Sequence, residues 1–308
     1  MDPGGGTEAG PGRAEAGGGV DGFGSDTPAL PSDDMSDSTS RPDDLLDRLR
    51  VDGDPDLADR DTREDFGWDR DDAEAAFVEE MATLVELQER LYADASASLL
   101  VVLQAMDAAG KDSTIRSVFS GLNPAGVDVN PFGVPTEEER AHDFLWRIHH
   151  HAPADGYIGV FNRSHYEDVL VVRVKELVAE KVWRRRYDHI RHFEQLLVDE
   201  GTHVAKIFLH VSKDEQKERF EDRLERPDKR WKFRAGDLDD RALWGEFMEA
   251  YTEALETTST DEAPWYVVPA DRKWVRNLCV ARILRHHLEA IDPRYPQPEE
   301  GLDDIVVV

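Results

Sequence analysis

Leu99-Leu-Val-Val-Leu103 is an unbroken apolar run of strand length, and with the segment after it constrains the fold more than any other part of the chain. A strand apolar throughout suits burial on both faces, as in a parallel sheet. It leads into Gln104-Ala-Met-Asp-Ala-Ala-Gly-Lys-Asp-Ser-Thr-Ile-Arg116, which reads as a loop of small residues, Gly-Lys and a helix start. In that arrangement backbone N–H groups at a helix N-terminus cradle a phosphate. Gly110 lets the backbone approach an anion, and Lys111 places a positive charge on it. The pattern G-x-x-x-x-G-K-[ST] is kept in part: Ala105 replaces its first Gly and Asp112 its Ser or Thr. The plainer alternative is an ordinary strand-to-helix turn in which Gly110 relieves strain. Asp112 takes the place of the usual Mg²⁺-binding hydroxyl, and a helix N-terminus also favours a carboxylate there. Asp107 would repel a phosphate unless a divalent cation bridges the two or the carboxylate accepts a proton. Ser113 and Thr114 suit a phosphate contact or a helix start equally.

The rest of the chain alternates between strand and helix. From Asp72, the residues Phe77, Met81, Leu84, Val85, Gln88 and Tyr92 recur at helical spacing, with Glu79, Glu80, Glu86 and Glu89 between them. That is an amphipathic helix docked on a core. Further strands are expected at Val127-Asp-Val129, Tyr157-Ile-Gly-Val-Phe161, Val204-Ala-Lys-Ile-Phe-Leu209 and Trp265-Tyr-Val-Val268. One helix starts near Thr136, where Thr-Glu-Glu-Glu forms a capping box after Pro135. Others cover about 168–180, 186–200, 213–225, 240–257 and 273–290. The alternation predicts an α/β fold with a doubly wound parallel sheet and helices on both faces. Residues 1 to about 45 read as a disordered tail: ten of the 22 glycines fall in the first 24 residues, and such a segment buries too little to offset its ordering entropy. A spacer, or translation starting at Met35, accounts for it better than a regulatory tail. An extended or irregular lead-in (46–71), a main domain (72–292) and a C-terminal tail (293–308) complete the expected organisation.

Charge excludes several functions. With 66 acidic and 37 basic residues, the net charge is −29. Phosphate backbones and anionic membranes repel such a surface, so neither nucleic acid nor membrane is an expected partner. The lone Cys279 rules out an internal disulfide framework. No apolar run approaches the roughly 20 residues needed to span a bilayer, and the first 30 residues lack the basic and apolar regions of a secretory signal. A cytoplasmic location is therefore expected. Nine of the basic residues are lysines. A surface this rich in carboxylates repels itself in dilute buffer, which points to a salty, halophilic interior.

Several motifs in order carry a family resemblance. Asp107-Ala-Ala-Gly-Lys-Asp112, Ser120-Gly-Leu-Asn-Pro124, Phe161-Asn-Arg-Ser-His-Tyr-Glu-Asp168, Arg226-Pro-Asp-Lys-Arg-Trp-Lys-Phe-Arg234 and Ala263-Pro-Trp-Tyr-Val-Val-Pro-Ala-Asp-Arg-Lys-Trp274 together resemble the polyphosphate kinase 2 family, over about 87–291. The resemblance implies transfer of the terminal phosphate of inorganic polyphosphate to a nucleotide, AMP or ADP, with Mg²⁺. It implies a P-loop kinase-like three-layer α/β/α sandwich similar to thymidylate kinase, a helical lid at about 212–240, and a homodimer or homotetramer. By the same resemblance Asp107, Lys111 and Arg163 are catalytic. Gly110, Lys111, Asp112, Ser113, Arg116, Arg219 and Arg223 bind phosphate or polyphosphate, Asp107 and Asp112 the metal, and Asn162, Arg163 and Glu167 the acceptor nucleotide. Many members carry Asp where Asn162 stands, which weakens metal ligation there. Asn162 with Glu167 looks like the branch that accepts monophosphates as well as diphosphates. The alternatives are an ATP-dependent nucleotide kinase on the same fold and a non-catalytic nucleotide- or polyphosphate-binding protein.

Other residues have plainer readings. The cluster Arg219, Arg223, Arg226, Lys229, Arg230, Lys232 and Arg234 reads as a gate over polyanions, against local pairing with neighbouring acids. Arg184, Arg185 and Arg186 line a channel or pair with acids. His149-His-His151 is expected at a surface or helix end, and Trp265, Tyr266 and Trp274 in the core.

Overall fold

Five strands form one sheet: β1 (Ser98–Ala105), β2 (Val127–Pro131), β3 (Ile158–Asn162), β4 (Thr202–His210) and β5 (Trp265–Pro269). All four pairings are parallel and the order is β2-β3-β1-β4-β5. The computed structural model describes residues 44–300 and residue 302. Residues 1–43 of the expected tail, Met35 included, lie outside the described residues, as do 301 and 303–308. Each strand expected from an apolar run is present. Leu99 of β1 pairs with Ile158 on one side and His203 on the other, and every β1 residue is buried. β2 is an edge strand, largely exposed and ending at Pro131, which has no N–H to offer a further strand.

Eleven α-helices surround the described sheet. The first are α1 (Leu45–Leu49), α2 (Arg70–Asp94), α3 (Lys111–Phe119), α4 (Glu137–Ala141), α5 (Trp146–His149) and α6 (Val171–Val174). They are followed by α7 (Glu180–Asp199), α8 (Lys213–Glu225), α9 (Gly236–Ala242), α10 (Trp244–Thr258) and α11 (Lys273–Ile291). Alternate residues of β4 show the three layers, because a strand's side chains point to opposite faces in turn. Lys206 and Phe208 reach Glu194 of α7 and Tyr251 of α10. His203 reaches His287 of α11 on the other side. α2 and α3 pack on α11, and α6 and α7 on α10.

Local chemistry explains both agreements and departures. The capping box at Thr136 is present, with Thr136 Oγ1 accepting from Glu139 N and Glu139 Oε2 from Thr136 N, but α4 ends within five residues. The helix expected over 168–180 is only α6, because the chain turns at Glu176, which has φ 50°. The helix expected over 240–257 divides into α9 and α10 at Leu243, whose ψ of 28° leaves the helical range. The irregular lead-in contains α1, whose Leu45 and Leu49 are buried. Val51 N donates to Trp265 O, tying this segment to β5. The buried face of α2 is also turned from the expected one: Leu84, Leu87, Gln88 and Leu91 face inward, while Val85 and Tyr92 are exposed. Glu80 is buried there because Arg282 and Arg285 pair with it. Trp265 and Tyr266 lie in the core as expected, and Trp274 is half-buried against it.

Candidate active site

In an open parallel sheet, ligands bind beyond the carboxyl ends of the strands where the strand order reverses. Here the chain leaves β1 toward β2 and β3, then crosses back to β4, so the reversal lies at β1. Three loops converge there: 106–110 after β1, 163–168 after β3 and 211–212 after β4.

The first loop is held by its own backbone and by α8. Gly110 has φ +115°, a conformation side chains rarely adopt, and it starts α3. Gln216 Nε2 donates to Asp107 O at 2.8 Å. Arg219 donates to Ala108 O (3.1 Å), Ala109 O (2.7 Å), Ala270 O (2.6 Å), Asp271 O (3.1 Å) and Glu215 Oε1 (2.8 Å). Five bonds commit all five donors of a guanidinium, so Arg219 staples the loop to the turn after β5. Its expected grip on phosphate is corrected on this ground: in this conformation it has no donor left to give. Ser113 and Thr114 turn their hydroxyls back to Gly110 O, at 2.9 and 3.1 Å, as helix-start residues do.

Lys111, Asp107 and Arg163 meet over this loop. Lys111 Nζ donates to Ala105 O at 2.7 Å and to Met106 O at 3.4 Å. Arg163 donates to Asp107 Oδ1 at 2.9 Å. Arg163 has φ +64°, and its N–H is tied to Leu103 O at 3.1 Å. A non-glycine residue in this region stores strain, and such strain concentrates where function requires a fixed side-chain direction. Burial first, and then the Arg163 charge, push Lys111 down to about 8, against Asp107, Glu167 and Asp112. Burial raises the Glu167 carboxyl, and Arg163 and Lys111 only partly offset it. Gln104 donates to Glu167 at 3.2 Å when its amide is turned to satisfy both ends. Burial works against the Arg163 charge, but Glu167 and Asp107 outweigh it and raise its pKa.

Asn162 and Asp112 form the opposite wall. Asn162 Nδ2 donates to Asp112 Oδ1 at 2.9 Å, and Lys232 lies 3.5 Å from Asp112 Oδ2. Burial raises the Asp112 carboxyl, but the Asn162 hydrogen bond and the Lys232 charge overcome that and leave it below the usual range. Among the described residues no three His, Cys, Asp or Glu side chains converge as a metal site. Mg²⁺ needs fewer, since it takes one or two carboxylates and completes its shell with water and substrate phosphate. Asp107 and Asp112 fit that donor set: Asp107 keeps Oδ2 without a hydrogen bond among the described residues, and Asp112 Oδ2 faces Lys232.

The comparisons meet this geometry. The family model for polyphosphate kinase 2 matches residues 67–296. The chain belongs to the polyphosphate kinase 2 family. The AMP/ADP-polyphosphate phosphotransferase of Meiothermus ruber is 58% identical over 73% of this chain and 84% of its own. The ADP-polyphosphate phosphotransferase of Rhodopseudomonas palustris is 45% identical over 70% of this chain and 78% of its own. The crystal structure of polyphosphate kinase 2 from Arthrobacter aurescens TC1 superposes with a TM-score of 0.82 at 41% identity, covering 84% of this chain and 94% of that one.

The basic residues of this polyphosphate kinase 2 chain divide sharply. Arg226 pairs with Asp228, Lys229 with Asp222, and Arg223 lies 3.9 Å from Asp237. Arg230 donates to Leu224 O. Local partners occupy these four, Arg219 is bound to the loop carbonyls, and Lys232 reaches Asp112 at the start of α3. Arg116 and Arg234 make no side-chain hydrogen bond or ion pair among the described residues. Arg184 pairs with Glu180 and Glu253, and Arg186 with Asp168. The histidines 149–151 lie at the end of α5, where His149 and His151 contact Phe193 and Phe132. Residues the motifs did not single out include Gln104, Gln216 and Arg276. Gln104 and Arg276 carry one sequence signal, a polar side chain beside apolar residues, and Gln216, inside a polar helix, carries none.

Gly110→Ala tests the loop geometry. A Cβ there would run into Arg276 Nη1 and impose an unfavourable φ. The expected loss is about 2 kcal/mol, read from urea unfolding. A variant as stable as the parent would contradict the described loop.

Proposed function

We propose that this chain transfers the terminal phosphate of inorganic polyphosphate to AMP and ADP, with phosphates held over the 106–110 loop. The observation that carries the reading is the meeting of Lys111, Asp107 and Arg163 where the loops after β1 and β3 converge at the reversal of the sheet. Two polyanions must approach each other in such a reaction, so alignment and charge neutralisation are the main tasks. Lys111 supplies a point charge at the transfer position. Arg163 supplies a planar fork for a phosphate, aimed by Asp107. The acceptor phosphate oxygen is already ionised, so no strong general base is needed.

Asp107 and Asp112 would hold Mg²⁺, which when bound would supply positive charge to offset that of the phosphates. Asn162 in place of the family's frequent Asp fits this arrangement. Two carboxylates facing each other here would repel, whereas Asn162 donates to Asp112 at 2.9 Å. The carboxylate missing from the end of β3 is thus supplied by the start of α3. The similarity to the Meiothermus ruber protein, which its name describes as acting on AMP and ADP, supports the same acceptors here. Lys232, 3.5 Å from Asp112, would close the 212–240 segment over the phosphates. Assembly as a dimer or tetramer, a cytoplasmic setting and a saline interior complete the proposal.

The test is a donor–acceptor assay with Mg²⁺ in molar KCl, pairing AMP or ADP with either polyphosphate or ATP. Product formation that depends on polyphosphate supports the reading; turnover with ATP alone overturns it in favour of an ATP-dependent kinase, and no transfer at all in favour of a binding protein. A pH dependence follows from Lys111. It is a cation below about 8 and loses its proton above, so kcat/KM falls as pH rises through that value. Lys111→Arg keeps its charge and removes this descending limb. A profile flat to about pH 10 in the parent would contradict the assignment, since kcat/KM reports groups of the free enzyme.

A further inference from the structure

Arg276 stands out among the buried charges of the molecule. It lies in the first turn of α11 and is 1% exposed. Its Nε and Nη2 donate to Asn277 Oδ1 at 3.2 and 2.9 Å. Its Nη1 has no hydrogen-bond partner among the described residues. That atom lies where a side chain on Gly110 would be, against the residue that starts α3. No carboxylate among the described residues pairs with it, and its charged neighbours Arg219 and Lys273 are cations too. Burial first, and then Arg219, push its pKa down to about 9, so it remains a cation at neutral pH.

A buried cation without a counter-ion is costly, and a protein ordinarily pairs it or replaces it with an apolar residue. Here the unpaired group faces the loop that the proposed function assigns to phosphate. Helix N-termini bind anions through their N–H groups and dipole, and a buried charge behind them is little screened by salt. We propose that Arg276 is a positioning residue whose uncompensated guanidinium, packed behind Gly110, holds the 106–110 loop ready for the polyphosphate chain and is balanced by its charge when it binds. The inference rests on the reading of that loop as the polyphosphate site. Arg276 does not touch the reacting atoms. It acts through Gly110, and Arg219, stapling the adjacent residues, holds the loop against it.

Arg276→Met keeps length and removes charge; Arg276→Lys keeps charge and loses the fork. The probe is inorganic tripolyphosphate, added without nucleotide and followed by calorimetry and thermal unfolding. The free Arg276→Met protein melts at or above the parent temperature, because an unpaired buried charge is gone. Its Kd for tripolyphosphate rises about tenfold, a loss of about 1.4 kcal/mol in binding, while Arg276→Lys recovers part of the affinity. In turnover, KM for polyphosphate rises and KM for AMP is unchanged. An Arg276→Met protein that melts lower but binds tripolyphosphate as the parent does would overturn the proposal and leave Arg276 a packing residue. If Arg276→Met does not fold, an unchanged Kd in Arg276→Lys overturns it, and weakened binding supports it. A parent that does not bind tripolyphosphate would instead sink the functional reading itself.

Discussion

Lys111→Ala is expected to lower kcat about a thousandfold while leaving the protein folded. The ammonium lies between the carbonyls of Ala105 and Met106 on one side and Asp107, Glu167 and Asp112 on the other. Removing it takes away the cation nearest these three carboxylates where phosphates would arrive, so the transition state loses most. The fold has little to lose, because burial disfavours the Lys111 charge more than its partners favour it. Steady-state rates with polyphosphate and AMP, beside a circular dichroism melt, check both halves. A folded Lys111→Ala protein within tenfold of the parent would show that transfer occurs elsewhere.

Glu194→Ala is expected to destabilise the fold by about 3–5 kcal/mol, because it leaves a buried ammonium unpaired. Lys206 points from the middle of β4 into the core, where Nζ donates to Glu194 Oε2 (2.6 Å), Thr258 O (2.6 Å) and Tyr166 OH (3.2 Å). Glu194 Oε1 in turn accepts from Tyr166 OH at 2.8 Å and meets His165 Nε2 at 3.2 Å. Lys206 and Glu194 are fully buried, and burial raises the Glu194 carboxyl before the Lys206 charge and His165 bring it below its usual range. Burial lowers the Lys206 pKa, and the Glu194 charge and hydrogen bond only partly offset it. Removing both charges with Glu194→Leu and Lys206→Met should recover most of the loss, since apolar replacement of a buried pair is often near neutral. Denaturant midpoints of the two variants decide it: equal destabilisation by the single and double changes would contradict an ion pair. Because His165 and Tyr166 lie two and three residues after Arg163, the double variant also reports whether this network fixes the left-handed Arg163. Its kcat should fall even where its stability recovers.

The inner part of the sheet was legible because β1, β3 and β5 are short apolar runs bounded by polar or turn residues, and such runs need no tertiary information to be seen. The 106–110 loop and the helix it starts were legible because their residues are contiguous. What escaped the sequence depends on partners far apart in the chain. Lys206 sits inside a run that reads as apolar, and nothing near it marks Glu194, on the neighbouring helix, as its counter-ion. Arg219 stands in a cluster that reads as a phosphate gate, yet its five donors go to carbonyls and one carboxylate from three segments. Arg276 looks like any helix-surface arginine until α11 is laid behind Gly110. The helix boundaries missed at 168–180 and 240–257 turn on single backbone conformations at Glu176 and Leu243, which composition does not dictate.

The central claim is that polyphosphate is the donor and that its end lies at the Lys111 loop. The most direct measurement is transfer of ³²P from end-labelled polyphosphate to AMP by parent and Lys111→Ala proteins side by side, with Mg²⁺ in molar KCl. Label appearing in ADP and then ATP with the parent, and in neither with the folded variant, is the result predicted. Label reaching nucleotide equally with both proteins, or with neither while ATP serves as donor, would contradict it.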